Sequence, residues 1–145
     1  MVVDTVSSKD LTLDEARRII RRVEAEAERI GVKAVVAAAN SGANIIAVEC
    51  MDDAYIASYD IAVNKAFTSV SLKMATKTLK PLAQPGGSLY GIQHTNNGKI
   101  VIFGGGVPLI RNGKVIGAIG VSGGSEEEDT HLGDFAEEIF KNGNF

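Results

Sequence analysis

Two runs rich in β-branched residues, Val107 to Arg111 and Lys114 to Ser122, meet at Asn112-Gly113, and no other feature restricts the fold as much. Asn-Gly readily takes the positive backbone angles of a type I′ turn, whose twist matches paired strands. The two runs therefore predict a tight antiparallel hairpin. A hairpin with apolar faces needs further strands and a covering layer. The rest of the chain supplies both. Thr12 and Glu15 form a Thr-x-x-Glu capping box ahead of a helix predicted over Leu13 to Ile30, with Ala16, Ile19, Ile20, Val23 and Ala27 on one stripe and Gly31 as its stop. The continuous apolar run Ala34 to Ala39 is too short for a typical helix and reads as a buried strand. It turns through Asn40-Ser41-Gly42 into a hairpin partner over Asn44 to Met51. A second helix is predicted from Ala57 or Ser58 to Met74, carrying Ile61, Ala62, Lys65, Ala66 and Ser69 along one side. Pro81 and Pro85 leave room only for a short helical turn between Lys77 and Gly87. Ser88 to Ile92 reads as a further turn of helix, and Asn96-Asn97-Gly98 as a turn. Ile100 to Phe103 reads as another strand, and a glycine- and acid-rich loop leads to a last helix over Asp129 to Phe140.

The order is helix, two strands, helix, three strands, helix, an α/β (α+β) pattern with a largely antiparallel sheet. With no internal repeat and no long linker, residues 11–145 read as one domain. Residues 1–10 read as a tail, either loose or an added strand. The net charge of -3 argues against a nucleic-acid partner. Arg17, Arg18, Arg21 and Arg22 are answered by Glu24, Glu26 and Glu28, as on a solvated helix face. The single cysteine, Cys50, excludes an internal disulfide and reads as a core thiol. No run is apolar enough to span a bilayer and no signal-peptide pattern opens the chain, so a cytoplasmic location without membrane attachment is expected.

Several separated motifs carry a family likeness. They are Met51-Asp52-Asp53-Ala54, Ala57-Ser58, Asp60-Ile61-Ala62 and Asn64-Lys65-Ala66, then Pro85-Gly86 and Ser88-Leu89-Tyr90-Gly91. Gly104-Gly105-Gly106-Val107-Pro108-Leu109, the run Val115 to Gly124 and Asp129 complete the set. In order and spacing these residues, spread from about Leu11 to Phe140, resemble the GlcG/HbpS-type heme-binding family, in particular the C-terminal domain of PduO-type cobalamin adenosyltransferases. The resemblance implies a profilin-like, five-stranded antiparallel sheet with helices on both faces, and self-association into a homo-oligomer, a dimer or larger. It also implies heme as cofactor and a place in corrinoid-dependent or bacterial microcompartment catabolism. No triphosphate-binding pattern is present, so adenosyl transfer is not carried over. The chain departs from the family in three places. Ala39-Asn40-Ser41-Gly42-Ala43 replaces a Val-Asp strand end with its Asp-x-Gly-Gly turn, Cys50 stands where an arginine is usual, and no histidine lies between Leu11 and Ile30 to ligate heme iron.

His94 and His131, the only histidines, are then the candidate axial ligands, since a neutral imidazole ligates heme iron well. A plain surface role is the alternative for each. Met51, Met74, Tyr55, Tyr59 and Tyr90 could line a tetrapyrrole pocket or simply pack. Gly104, Gly105 and Gly106 offer successive amides that could cradle a carboxylate, or could form a bulge. Asn64 and Lys65 are candidate ligand contacts, with Lys65 pairing either Asp60 or a ligand carboxylate. The bland alternative has its stem packed and its ammonium in water. Ser122, Asp129 and His131 hold the letters of a hydrolytic triad, and Gly120 to Gly124 matches Gly-x-Ser-x-Gly. An acidic loop in place of an immediate helix argues against a nucleophile elbow. Three functions are therefore expected in this order: a binding protein for heme, another tetrapyrrole or a small anion; an enzyme on a small metabolite using Lys65, Asp60 or Asp129; and an oligomeric scaffold with a vestigial pocket.

Overall fold

The computed structural model describes residues 10–145; the expected tail therefore falls, apart from Asp10, outside the described residues. Helix α1 (Leu13–Ile30) begins at the expected capping box, where Thr12 Oγ1 accepts from the Glu15 amide at 3.1 Å and the Glu15 carboxylate accepts from the Thr12 amide at 3.0 Å. It ends at Gly31, whose φ of 79° is left-handed and lets its amide reach the Ala27 and Glu28 carbonyls. Strands β1 (Val35–Asn40) and β2 (Ile45–Cys50) follow, then α2 (Ser58–Leu72), α3 (Thr76–Leu82), and two 3-10 turns at Ile92–His94 and Asn96–Gly98. Strands β3 (Gly106–Arg111) and β4 (Lys114–Ser122) lead to α4 (Glu126–Lys141). Both residues of the β3–β4 turn have positive φ, Asn112 at 51° and Gly113 at 76°, as a type I′ turn demands.

The four strands form one antiparallel sheet in the order β2-β1-β4-β3. β1 is central, and its side chains divide the core. Val36 and Ala38 face the stripe of α1 and the Leu132, Ala136 and Ile139 side of α4. Val35, Ala37 and Ala39 face Ala62, Ala66 and Val70 of α2. Helices thus cover both faces, and each fully buried Ile or Val of the first layer contributes about 1.5–3 kcal/mol by leaving water. The α2 layer is thinner, because its core is alanine and its helix lies almost on the strand backbone. A Cβ at Gly120 would sit 2.1 Å from the Ala62 carbonyl oxygen, and one at Gly106 would sit 2.6 Å from the Lys65 carbonyl oxygen.

Four expectations are corrected. The sheet has four strands among the described residues, not five. The stretch 100–103 does not join the ladder: the Val101 amide donates to Thr68 Oγ1 at 3.0 Å, and the Thr68 hydroxyl proton is shared between the Asn64 carbonyl at 2.7 Å and the Lys99 carbonyl at 3.2 Å. A helix side chain satisfies the backbone groups that a strand neighbour would have taken. Helix α4 starts at Glu126, three residues earlier than expected, so the acids Glu126 to Asp129 form its first turn instead of a loop. Ser125 and Glu128 close a second capping box, and the four acids face the positive end of the helix dipole. Cys50 is exposed at the end of β2, not in the core.

Candidate functional site

The close approach of α2 to the sheet creates a slot, and Lys65 is threaded through it. Glycines at 105, 106 and 120 make the slot possible. A Cβ at Gly105 would come within 2.7 Å of Lys65 Nζ, and one at Gly120 within 3.0 Å of Lys65 Cβ. Lys65 is completely buried, the bulkiest fully buried side chain among the described residues. Its Nζ donates to the Val121 carbonyl at 2.7 Å and to Asp129 Oδ2 at 3.2 Å, and it lies 5.1 Å from the centre of the Phe103 ring. The ammonium therefore does not reach water, and its acid is neither Asp60 nor a ligand but Asp129, brought in by the first turn of α4. Asp129 is itself buried, and its Oδ1 accepts from the Gly124 amide at 2.8 Å.

Burial acts on both partners. It pulls the Lys65 ammonium below its ordinary range, against the attraction of Asp129. It pushes the Asp129 carboxyl up, against Lys65 and the glycine amides. Both displacements favour the neutral amine and the neutral acid, so the pair sits closer to internal proton transfer than a solvated pair would.

A cleft of about 330 Å3 opens directly beside this pair. Tyr55, Ile61 and Phe103 form its apolar walls, while Ser58, Ser122 and Asp129 provide polar groups. The two serine hydroxyls are buried and hydrogen-bonded to each other at 3.2 Å. Glu126 stands at the same cleft and is held below its ordinary range first by Lys80, 2.6 Å away, and also by the Gly104 amide. The sequence marks Ser58 only as part of the Ala57-Ser58 motif and gives neither Ser58 nor Phe103 a role in a site. A serine at a helix start reveals no chemistry by itself, and Phe103 falls in a run with strand composition, where a ring reads as a packing group.

The other candidate residues are placed as follows. Gly104, Gly105 and Gly106 lie behind the cleft with their backbone engaged: the Gly104 amide donates to Glu126, the Gly106 amide donates to Thr76 Oγ1 at 2.9 Å, and the Gly105 carbonyl accepts from the Val121 amide. Asn64 is half-buried on α2, its carbonyl accepting from Thr68. Tyr90 is exposed, between α3 and the first 3-10 turn, apart from the Lys65 cleft. His94 is exposed on that 3-10 turn. His131 is exposed on α4, with Nε2 2.6 Å from Glu26 of α1. The same Glu26 carboxylate is gripped by Arg29 at 2.6 and 2.9 Å, and Arg29 first and His131 second hold it down to about 2. Ser122 and Asp129 do share a cleft, but the His131 imidazole is committed to Glu26, so the hydrolytic triad is not assembled. Two other clefts, of about 410 Å3 beside Glu24, Lys33 and Met51 and of about 500 Å3 between Pro108, Ile110 and Phe140, are likewise not lined by either histidine.

Known proteins give the site a context. Over 130 residues the chain is 47% identical to a 15.0 kDa protein of Citrobacter freundii from the dhaT-dhaS intergenic region, covering 90% of this chain and 92% of that one. It is 36% identical over 126 residues to the corrinoid adenosyltransferase PduO of Citrobacter freundii, covering 87% of this chain but only 38% of PduO. A solved PduOC:heme complex superposes with a TM-score of 0.85 at 35% identity, over 89% of this chain and 94% of that one. The family model described as haem-degrading protein HbpS-like matches residues 11–136, nearly the whole chain, and the protein belongs to the HbpS-like family.

Proposed function

We propose that this protein is an accessory protein that binds heme or a related tetrapyrrole. The observation that carries this reading is the likeness, over most of both chains, to a domain solved in complex with heme. Of the two candidate axial ligands, His131 has the better donor chemistry. Its ring is exposed, and its Nε2 is held by the Glu26 carboxylate that Arg29 keeps ionised, which leaves Nδ1 for a metal; a carboxylate commonly holds the other nitrogen of a ligating imidazole in this way. His94 is the alternative. When bound, heme supplies any redox chemistry, and the chain supplies binding, orientation and charge. Residues 11–145 act as one domain, and the exposed group Tyr55, Ile56 and Tyr59 beside the cleft favours self-association into a homo-oligomer. A link to corrinoid-dependent or microcompartment catabolism draws support from the PduO likeness. A cytoplasmic location is in keeping with that link; no described helix is long and apolar enough to cross a membrane. Hemin titration tests the reading. A Soret band that saturates at stoichiometric hemin and is displaced in His131→Ala is expected. An unchanged spectrum at stoichiometric hemin overturns it.

A second reading has its own observation in support. The buried Lys65–Asp129 pair beside a cleft suits a small-metabolite site, with Asn64 on the same helix, and Gly105 and Gly106 as its backing.

A further inference from the structure

We propose that Lys65 is a carbonyl-condensing amine, and that the cleft beneath Phe103 admits a small, uncharged aldehyde or ketone to it. This inference stands on the Lys65 slot alone and is independent of tetrapyrrole binding. An ion pair is not unusual as such, and a lysine is seldom fully buried unless it is paired. The combination here is less easily explained by stability. A buried salt bridge seldom outperforms well-packed apolar residues of the same volume. This one also requires glycine at 105, 106 and 120 to make room. The slot brings Nζ beside Asp129 and Phe103, both of which line an open cleft, with the Phe103 ring centre 5.1 Å from it.

The three N–H bonds of the ammonium show where a reactant would enter. One is taken by the Val121 carbonyl and one by Asp129, which leaves the third on the side of the Phe103 ring. Phe103 is 40% exposed and belongs to the stretch 100–105, which has no regular secondary structure and runs into Gly104 and Gly105. A change of its side-chain rotamer would join the cleft to Nζ without moving a helix or strand. The cleft also selects by charge. Lys65 and Asp129 cancel, and Glu126 is answered by Lys80 at 2.6 Å, so no uncompensated cation is left at the cleft to draw in an anion. Tyr55 and Ile61 offer walls for a short carbon chain, and the Ser58 and Ser122 hydroxyls offer hydrogen bonds to a hydroxyl on it.

The chemistry balances without a further reactant. Asp129 takes a proton from the Lys65 ammonium, giving an amine and a carboxylic acid. The amine nitrogen bonds to the carbonyl carbon, the C=O π pair moves to oxygen, and a proton passes from nitrogen to that oxygen to give a carbinolamine. Asp129 then returns its proton to the hydroxyl, the C–O bond breaks, and water leaves. The product is a protonated imine beside the Asp129 carboxylate. Burial that disfavours both charges is what lowers the cost of the first step.

The test treats the intact protein with butanal and sodium cyanoborohydride at limiting aldehyde, then maps modified lysines by peptide mass spectrometry. Modification of Lys65 ahead of the exposed Lys73 and Lys80 is expected. Phe103→Ala should speed labelling of Lys65. Asp129→Asn should slow it about tenfold or more, because the proton carrier is lost. If Asp129 were only structural, its loss would loosen the slot and speed labelling instead, and that result overturns the proposal. So does labelling confined to exposed lysines in both the native protein and Phe103→Ala.

Discussion

Replacing Lys65 by Met tests the energetic reasoning about the slot most directly. Met keeps most of the side-chain volume between Gly105 and Gly120, so no large cavity opens. What is lost is the partner of Asp129, which stays buried with the Gly124 amide as a remaining donor. Breaking a buried pair by removing one member costs about 3–5 kcal/mol. Asp129 can escape part of that cost by taking up a proton, at about 1.4 kcal/mol for each pH unit its pKa must rise, and it already sits above its ordinary range. A loss of about 2–3 kcal/mol at neutral pH is therefore expected. Asp129→Asn should lose a similar amount, because it retains an oxygen for Gly124 but leaves the Lys65 ammonium with the Val121 carbonyl. The double variant has no buried charge to strand, and it should be less destabilised than the sum of the two single variants by about 1–3 kcal/mol. Urea unfolding of the four proteins measures the cycle. Strict additivity within about 0.5 kcal/mol, or a Lys65→Met loss below about 1 kcal/mol, would refute the claim that Lys65 and Asp129 are coupled.

Other outcomes follow from the geometry. Gly120→Ala should lower the thermal midpoint strongly, by a loss of about 3 kcal/mol or more, because its methyl group would sit on the Ala62 carbonyl; a near-native melt would mean that α2 can lift from the sheet at little cost. Glu24 is raised from 4.5 to about 7, first by burial and next by its hydrogen bond to Glu49. The folded chain thus holds that proton more tightly than the unfolded chain. The contribution to stability is complete below about pH 4.5 and is lost as pH rises through about 7, so Glu24→Gln should flatten the stability profile in that window; an unaltered slope counts against the Glu24–Glu49 pair. Ser125→Ala should cost about 0.5–2 kcal/mol by removing the α4 cap that holds the Glu128 amide, read by chemical denaturation.

Where the sequence could be read, the signal was local. The α1 stripe and its Thr12–Glu15 cap, and the Asn112-Gly113 turn, each specify their own geometry within a few residues. The same kind of signal marks Ser125 and Glu128, and using it would have started α4 at Glu126. What failed was partner choice. Ile100 to Phe103 has the composition of a strand, but a strand exists only if another strand takes its hydrogen bonds, and Thr68 takes them instead. Lys65 had the same ambiguity. Its spacing places it on the buried side of α2, yet nothing in the neighbouring sequence reveals that Asp129, 64 residues later, will meet it.

The glycines join these two failures into one explanation. Gly104, Gly105 and Gly106 suggested either amides offered to a ligand or a bulge, whereas the Gly104 and Gly106 amides are bound within the protein and the missing side chains are the useful feature. They let α2 and α4 approach the same strand ends: a Cβ at Gly133 of α4 would meet the Gly105 carbonyl at 2.9 Å, just as one at Gly106 would meet α2. Only because both helices come so close can a side chain from each, Lys65 and Asp129, touch across the sheet edge. The loop that supplies the glycines also supplies Phe103, which covers the ammonium. A single six-residue stretch, Ile100 to Gly105, thus gives up its place in the sheet and in exchange packs the slot, covers the lysine and walls the cleft. Pairing it as a fifth strand would leave Lys65 without its cover and remove Phe103 from the cleft wall.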